Sequence, residues 1–258
     1  MKKFKLFFCI FLSLTIFNTL KSAEQVDPIQ VDWSFKGLLG KFDRASLQRG
    51  YQVYNEVCAS CHSMQYLSYR NLGEPGGPEF SEQEVKAIAA SVEVTDGPDD
   101  QGEMFTRTGR PADKFKNPYP NVKASIAANG GAYPPDMSVL VKARPGGSNY
   151  IYSVLVGYED PPAGVTLDDG VYYNKYMIGN KIKMSSPLSD DIVEYSDGTL
   201  ATVDQMAKDV TTFLSWSAEP ELEERHRTGV KVIIYLILLT TLVYLSMKKI
   251  WSRVDSEV

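Results

Sequence analysis

Cys58-Ala59-Ser60-Cys61-His62 sets two thiols three residues apart, with an imidazole directly after the second. This is the attachment pattern of a c-type haem. On a helix the spacing puts both sulfurs on one face, where each adds to one vinyl group of the porphyrin, and His62 meets the iron from that side. The chain of 258 residues has three cysteines and two histidines, so their meeting in one pentapeptide is specific. A thioredoxin-like redox pair shares the cysteine spacing but needs its own pattern of strands and helices around it. A zinc site needs further donors, and the other histidine, His226, borders an apolar segment and reads as an interfacial, solvated residue.

An iron that only moves electrons needs a sixth ligand, and a methionine sulfur favours the ferrous state and raises the potential. The methionines after His62 are Met64, Met104, Met137, Met177, Met184, Met206 and Met247. Met64 is too close to His62 to reach the opposite face, Met247 lies in the C-terminal apolar run, and Met206 falls on a helical apolar stripe. Met104, Met137 and Met177 stay open, each with core filling as its ordinary role. Met184, in Lys183-Met184-Ser185-Ser186-Pro187-Leu188, sits on an irregular segment held by proline, which suits aiming a sulfur at a flat ring. The residues alone favour Met184 without excluding the other three.

Two helices are expected to position this chemistry. Asp43 to Met64 carries Leu47, Tyr51, Tyr54 and Cys58 on one face, and Gly50 on that face permits close approach of a second helix. Thr202 to Ser217 repeats Val203, Met206, Ala207, Val210, Phe213 and Leu214 at helical spacing; Thr202 with Gln205 starts it and Glu219-Pro220 ends it. Positions 71–180 hold eleven of the fourteen prolines, which predicts loops and short elements.

The ends have a different task. Residues 1–23 carry Lys2, Lys3 and Lys5 before an apolar run from Leu6 to Phe17, the pattern of a bacterial export signal cut after Ser22 or Ala23. Residues 228–251 form a second apolar stretch, flanked by lysines and bearing Tyr244 and Trp251 as interfacial belt residues, which reads as a transmembrane anchor. An exported domain over 24–227 and a cytoplasmic tail over 252–258 follow. The net charge of −5 divides unevenly: with eight of 27 basic and two of 32 acidic residues in the ends, residues 24–227 hold 19 against 30, a net −11. Such a surface is unsuited to nucleic acid and fits a basic protein partner. Its acidic clusters are Glu93–Glu103 and Glu219–Glu224, readable as solvated surface or as a docking patch.

Longer strings resemble one family. Tyr51-Gln-Val-Tyr54 leading into Cys58–Met64, Asp96-Gly97-Pro98 followed by Gly102–Phe105, Asn117-Pro-Tyr-Pro-Asn121, Ala128–Ala132 running into Pro134-Pro135-Asp136, and Glu219-Pro220-Glu221 are similar to cytochrome c1 over residues 31–251. The resemblance implies a mainly α, class I cytochrome c-like haem domain with a large loop-rich insertion and one C-terminal transmembrane helix. It implies one covalent haem c on Cys58 and Cys61, His62 and Met184 as axial ligands, and Arg144 and Asn129 near the propionates. Ser185 stands where the family more often has Ala, and Ile126 where it often has Arg. The implied partners are cytochrome b, the Rieske iron–sulfur protein and a soluble basic cytochrome c, in a dimeric complex at the bacterial inner membrane with the haem domain periplasmic. A membrane-anchored cytochrome c feeding a terminal oxidase is the alternative, and an enzyme with an open iron position would lack the methionine ligand.

Overall fold

Helix formation begins where Asp43 caps α1 (Arg44–Glu56), its carboxylate accepting the Ser46 N–H at 2.8 Å. The helix buries Leu47, Gly50, Tyr51, Val53 and Tyr54. In this computed structural model, which describes residues 26–254, its main partner is α5 (Val203–Ala218), capped by the Thr202 hydroxyl on the Gln205 N–H at 3.2 Å. The two cross at Gly50, where a Cβ would stand 2.1 Å from the Asp209 carbonyl oxygen. Beside this contact the fully buried Asp209 carboxylate accepts from Arg49 Nε at 2.8 Å, Arg49 Nη2 at 3.0 Å and the Gln205 amide at 3.0 Å. An aromatic cluster of Tyr51, Tyr54, Tyr69, Phe115, Phe213 and Trp216 fills the space around the crossing.

The first helix is shorter than its periodicity predicts. It stops at Glu56, and Cys58–Ser60 tightens into a 3-10 turn in which the N–H groups of Cys61 and His62 both donate to the Cys58 carbonyl, at 3.1 and 2.9 Å. The attachment cysteines therefore lie on a turn after the helix, not along one face of it. The cause is tertiary: the polar groups of residues 63–66 bond to residues 136–138, and Met64 is drawn fully into the core.

The proline-rich interval consists of short pieces, as expected. It holds α2 (Glu82–Ala90), the antiparallel hairpin β1 (Glu93–Asp96) and β2 (Phe105–Thr108), α3 (Val122–Ala128) capped by Asn121, and α4 (Gly147–Val156). Two two-residue strands, β3 (Tyr172–Tyr173) and β4 (Lys181–Ile182), complete it.

The last helix, α6 (Leu222–Val254), leaves the folded domain without a linker. Leu222 is buried, the Glu223 carboxylate accepts the Phe42 N–H at 2.9 Å, and it pairs with both terminal nitrogens of Arg44 at 2.8 and 2.9 Å. His226 is half-buried and its Nδ1 lies 3.3 Å from the Gly40 carbonyl, so it is tied to the domain and not freely solvated. Beyond Val232 the apolar side chains are exposed, and the most apolar 18 consecutive residues within Leu222–Arg253 have a mean hydropathy of 2.1. Those 18 residues extend about 27 Å, close to a hydrocarbon layer of ~30 Å, and the helix runs on beyond them. The expected export signal (1–23) and most of the expected tail lie outside the described residues.

Candidate haem site

The histidine that follows the second cysteine is held from behind. His62 is buried, and its Nδ1 sits 2.9 Å from the Pro135 carbonyl oxygen. With the proton on Nδ1 donated there, Nε2 is the nitrogen left for iron, and the ring cannot turn about its bond to Cβ without losing the contact. Burial also pushes the His62 pKa down, against the opposing pull of the Pro135 carbonyl and Asp136, which favours the neutral imidazole that a metal needs.

Asp136 braces the loop that supplies this carbonyl. Its carboxylate accepts from Ser63 Oγ at 2.7 Å and the Gln65 N–H at 2.9 Å, and on its own side from the Ser138 N–H at 2.9 Å. The Met137 N–H donates to the Ser63 carbonyl at 2.8 Å. Burial opposes the charge on Asp136, yet these hydrogen bonds outweigh it and hold the pKa below the usual aspartate value. Sequence reasoning assigned none of these roles. The rigid Pro134-Pro135 pair before an acid was the available signal.

Both attachment cysteines are free thiols, Cys58 buried and Cys61 half-exposed. Burial, reinforced by the neighbouring Cys61, pushes the Cys58 thiol up to about 12. A dithiol redox pair needs a depressed thiol pKa, so the environment of Cys58 speaks against that chemistry. Among the described residues no cluster of three His, Cys, Asp or Glu side chains forms, so tetrahedral zinc lacks its donors. Cys61 opens instead onto a cleft of about 190 Å³ walled by the Asn117–Val122 segment, Ser125, Tyr133 and Pro134. Two free thiols, an oriented imidazole and an adjoining cleft fit a covalently attached porphyrin.

The methionines separate by environment. Met64 and Met206 are fully buried and Met137 nearly so. The Met177 sulfur accepts the Tyr150 hydroxyl at 3.2 Å, and Met104 is exposed on the loop before β2. Met184 is half-buried on an irregular stretch after β4. Its carbonyl accepts the Tyr158 hydroxyl at 3.1 Å, and the neighbouring Lys183 ammonium reaches the Gly130 carbonyl at 3.1 Å. The Met184 segment is thereby tied to the same connection, residues 129–136, that orients His62.

Asn129 caps α3 and donates its side-chain amide to the Ser125 carbonyl at 2.7 Å, beside the cleft. Arg144 is half-buried before α4, and its one side-chain hydrogen bond among the described residues goes to the adjacent Ala143 carbonyl, at 3.1 Å. The acidic clusters differ. Glu219 pairs with Lys142 and Arg225, Glu223 with Arg44, and Glu224 with Arg227, so the second cluster is largely neutralised within the fold. In the first, Asp96 pairs with Arg107, while Glu93, Asp99, Asp100 and Glu103 are exposed around the β1–β2 hairpin.

The family model described as Cytochrome C1 family matches residues 33–254. The chain is 48% identical over 239 residues to cytochrome c1 of Rhodospirillum rubrum, covering 86% of this chain and 87% of that one. It is 50% identical over 238 residues to the mitochondrial cytochrome b-c1 complex catalytic subunit of Candida albicans, covering 92% and 80%. It is 50% identical over 239 residues to cytochrome b/c1 of Bradyrhizobium diazoefficiens, matching 85% of this chain but 35% of that longer protein, so it spans about a third of that polypeptide. The braced histidine, the paired free thiols beside a cleft, and matches of this extent converge: the chain belongs to the cytochrome c1 family and carries covalently bound haem c.

Proposed function

We propose that this chain is the haem c subunit of a cytochrome b–c1 complex, taking one electron from a Rieske iron–sulfur protein and passing it to a soluble basic cytochrome c. The observation that carries the reading is one connection serving both sides of the site: residues 129–136 orient His62 through Pro135 and hold the Met184 segment through Gly130. Bound haem supplies a one-electron change at iron. The chain supplies what that change requires. His62 would hold the iron through a fixed nitrogen and Met184 through a sulfur that favours the reduced state, a ligand set that would leave no position for bond-making chemistry at the metal. Arg144, with no protein carboxylate bound to it among the described residues, and Asn129 are assigned to the haem propionates.

α6 anchors the domain in the bacterial inner membrane, with the haem domain periplasmic and residues 252–258 cytoplasmic. The exposed acids of the β1–β2 hairpin, and not the internally paired Glu219–Glu224 cluster, then face the basic acceptor. The complex is dimeric. Purification of the full chain in mild detergent tests the reading. Cytochrome b, its b-type haems and an iron–sulfur subunit should accompany it. Co-purification with a terminal oxidase and no cytochrome b would overturn it. Carbon monoxide binding to the reduced haem would overturn the saturated ligand set.

A further inference from the structure

Gly37-Leu38-Leu39-Gly40 forms a reverse turn closed by the Gly40 N–H on the Gly37 carbonyl at 3.3 Å. Its two ends must be glycine. Gly37 has φ +87°, and a Cβ on Gly40 would stand 2.4 Å from the Phe35 and Lys36 carbonyl oxygens. Leucines thus occupy the two corners of the turn, positions where Pro, Asn, Asp or Gly are usual because their backbone preferences suit a turn. Leu38 is 68% and Leu39 73% exposed. The turn cannot fold back to hide them, because its base is clamped. Trp33, Phe35 and Phe42 are buried, with ring centroids 5.6 Å apart for Trp33–Phe35 and 4.9 Å for Phe35–Phe42, and the Lys41 N–H donates to the Ser34 carbonyl at 3.0 Å. Lys41, exposed, flanks the apolar corner on one side, and Lys36, whose ammonium reaches Asn149 Oδ1 at 3.4 Å, on the other.

The position of the turn tells what covers it. Gly40 is tied to His226, and Phe42 and Arg44 to Glu223, all in the first turns of α6. His226 precedes Val232, the start of the uncharged apolar run, by six residues, about 9 Å along the helix. Two residues of chain beyond Gly40 reach about 7 Å, and apolar groups that bind at membrane interfaces sink about 5–10 Å into the headgroup boundary.

We infer that the Leu38–Leu39 turn is a second membrane contact, its apolar corner seated in the interface of the bilayer that α6 crosses, with Lys41 at headgroup level. The inference rests on α6 being the membrane anchor. A lone helix lets the haem domain tilt about its exit point; a rigid contact set to one side of that helix opposes the tilt and holds the docking face at a constant height.

The test uses the full haem-loaded chain in vesicles of phosphatidylethanolamine and phosphatidylglycerol, with Cys9→Ser and one spin label at a time at Leu38→Cys, Leu238→Cys or Leu200→Cys. Leu200 is 77% exposed and sits by the start of α5, whose 16 residues set it about 24 Å from the end that leads to α6. Collision with dissolved oxygen, relative to a water-soluble nickel chelate, reports lipid contact. Residue 38 should match 238 in preferring oxygen, while 200 prefers nickel. A nickel preference at 38 with oxygen preference at 238 overturns the inference and leaves the anchor intact. Nickel preference at both removes the anchor reading and the inference with it. In the purified complex, a residue 38 shielded from both reagents means that a protein subunit covers the turn, which also overturns it.

Discussion

Gly50→Ala should loosen the crossing on which the haem site is built. The added methyl would sit 2.1 Å from the Asp209 carbonyl oxygen, 2.7 Å from its carbon and 2.8 Å from Phe213 Cβ. Two of these three atoms are backbone, so no rotamer change relieves them. Restoring an ordinary 3.4 Å contact requires the helices to part by 1.3 Å at this point. Overpacking of this kind costs about 3 kcal/mol at the upper end of its usual range, and the better helix propensity of alanine returns about 1 kcal/mol. The net loss is at least about 2 kcal/mol, because parting α1 from α5 also strains the Arg49–Asp209 pair beside the contact. For a domain of this size that corresponds to a Tm lowered by about 4–8 °C. The measurement is thermal unfolding of the haem-loaded chain, followed by circular dichroism and by the haem absorption together. Gly229→Ala is the control, since nothing lies within 4 Å of the Cβ it would add in α6. Equal melting of the two variants would falsify the reasoning.

Met184→Leu should keep the covalent haem and lower its midpoint potential by more than about 100 mV; an unchanged potential removes Met184 from the ligand set. Neutralising Glu93, Asp100 and Glu103 together should slow reduction of a basic cytochrome c chiefly at low ionic strength, and rates unchanged at every ionic strength would make the hairpin ordinary surface. Arg107 holds Asp113 down to about 2 through a two-pronged hydrogen bond at 2.7 and 2.8 Å. A depressed carboxylate stabilises the fold fully above its unfolded value near pH 4, and loses that contribution as pH falls through its folded value. Protease resistance of the β1–β2 hairpin should therefore fall between about pH 4 and 2, and Arg107→Gln should flatten this dependence.

Much of the site is legible in sequence because its attachment ligands are contiguous. Two thiols and an imidazole in five residues encode their chemistry without any fold. The crossing at Gly50 was legible as well, since helical periodicity aligns Gly50 with Tyr54 and α5 announces its own cap at Thr202. The end of α1 was not, because local periodicity runs on through Met64, while the hydrogen bonds that break it come from residues 136–138. The two acidic clusters read alike in sequence, and only the positions of Lys142, Arg44 and Arg225 distinguish a neutralised patch from an open one.

The sequence by itself determined the cofactor, the two main helices and the apolar anchor, all of which rest on spacings within a single helix or turn. Only the tertiary structure decided how His62 and the Met184 segment are held. The Pro135 carbonyl that orients His62 comes from 73 residues away, and the Gly130 carbonyl that fixes the Met184 segment from 53 residues before Lys183. Backbone carbonyls are common to every residue, so no side-chain pattern reports which of them a distant imidazole or ammonium will meet; that depends on how the loops close over the core.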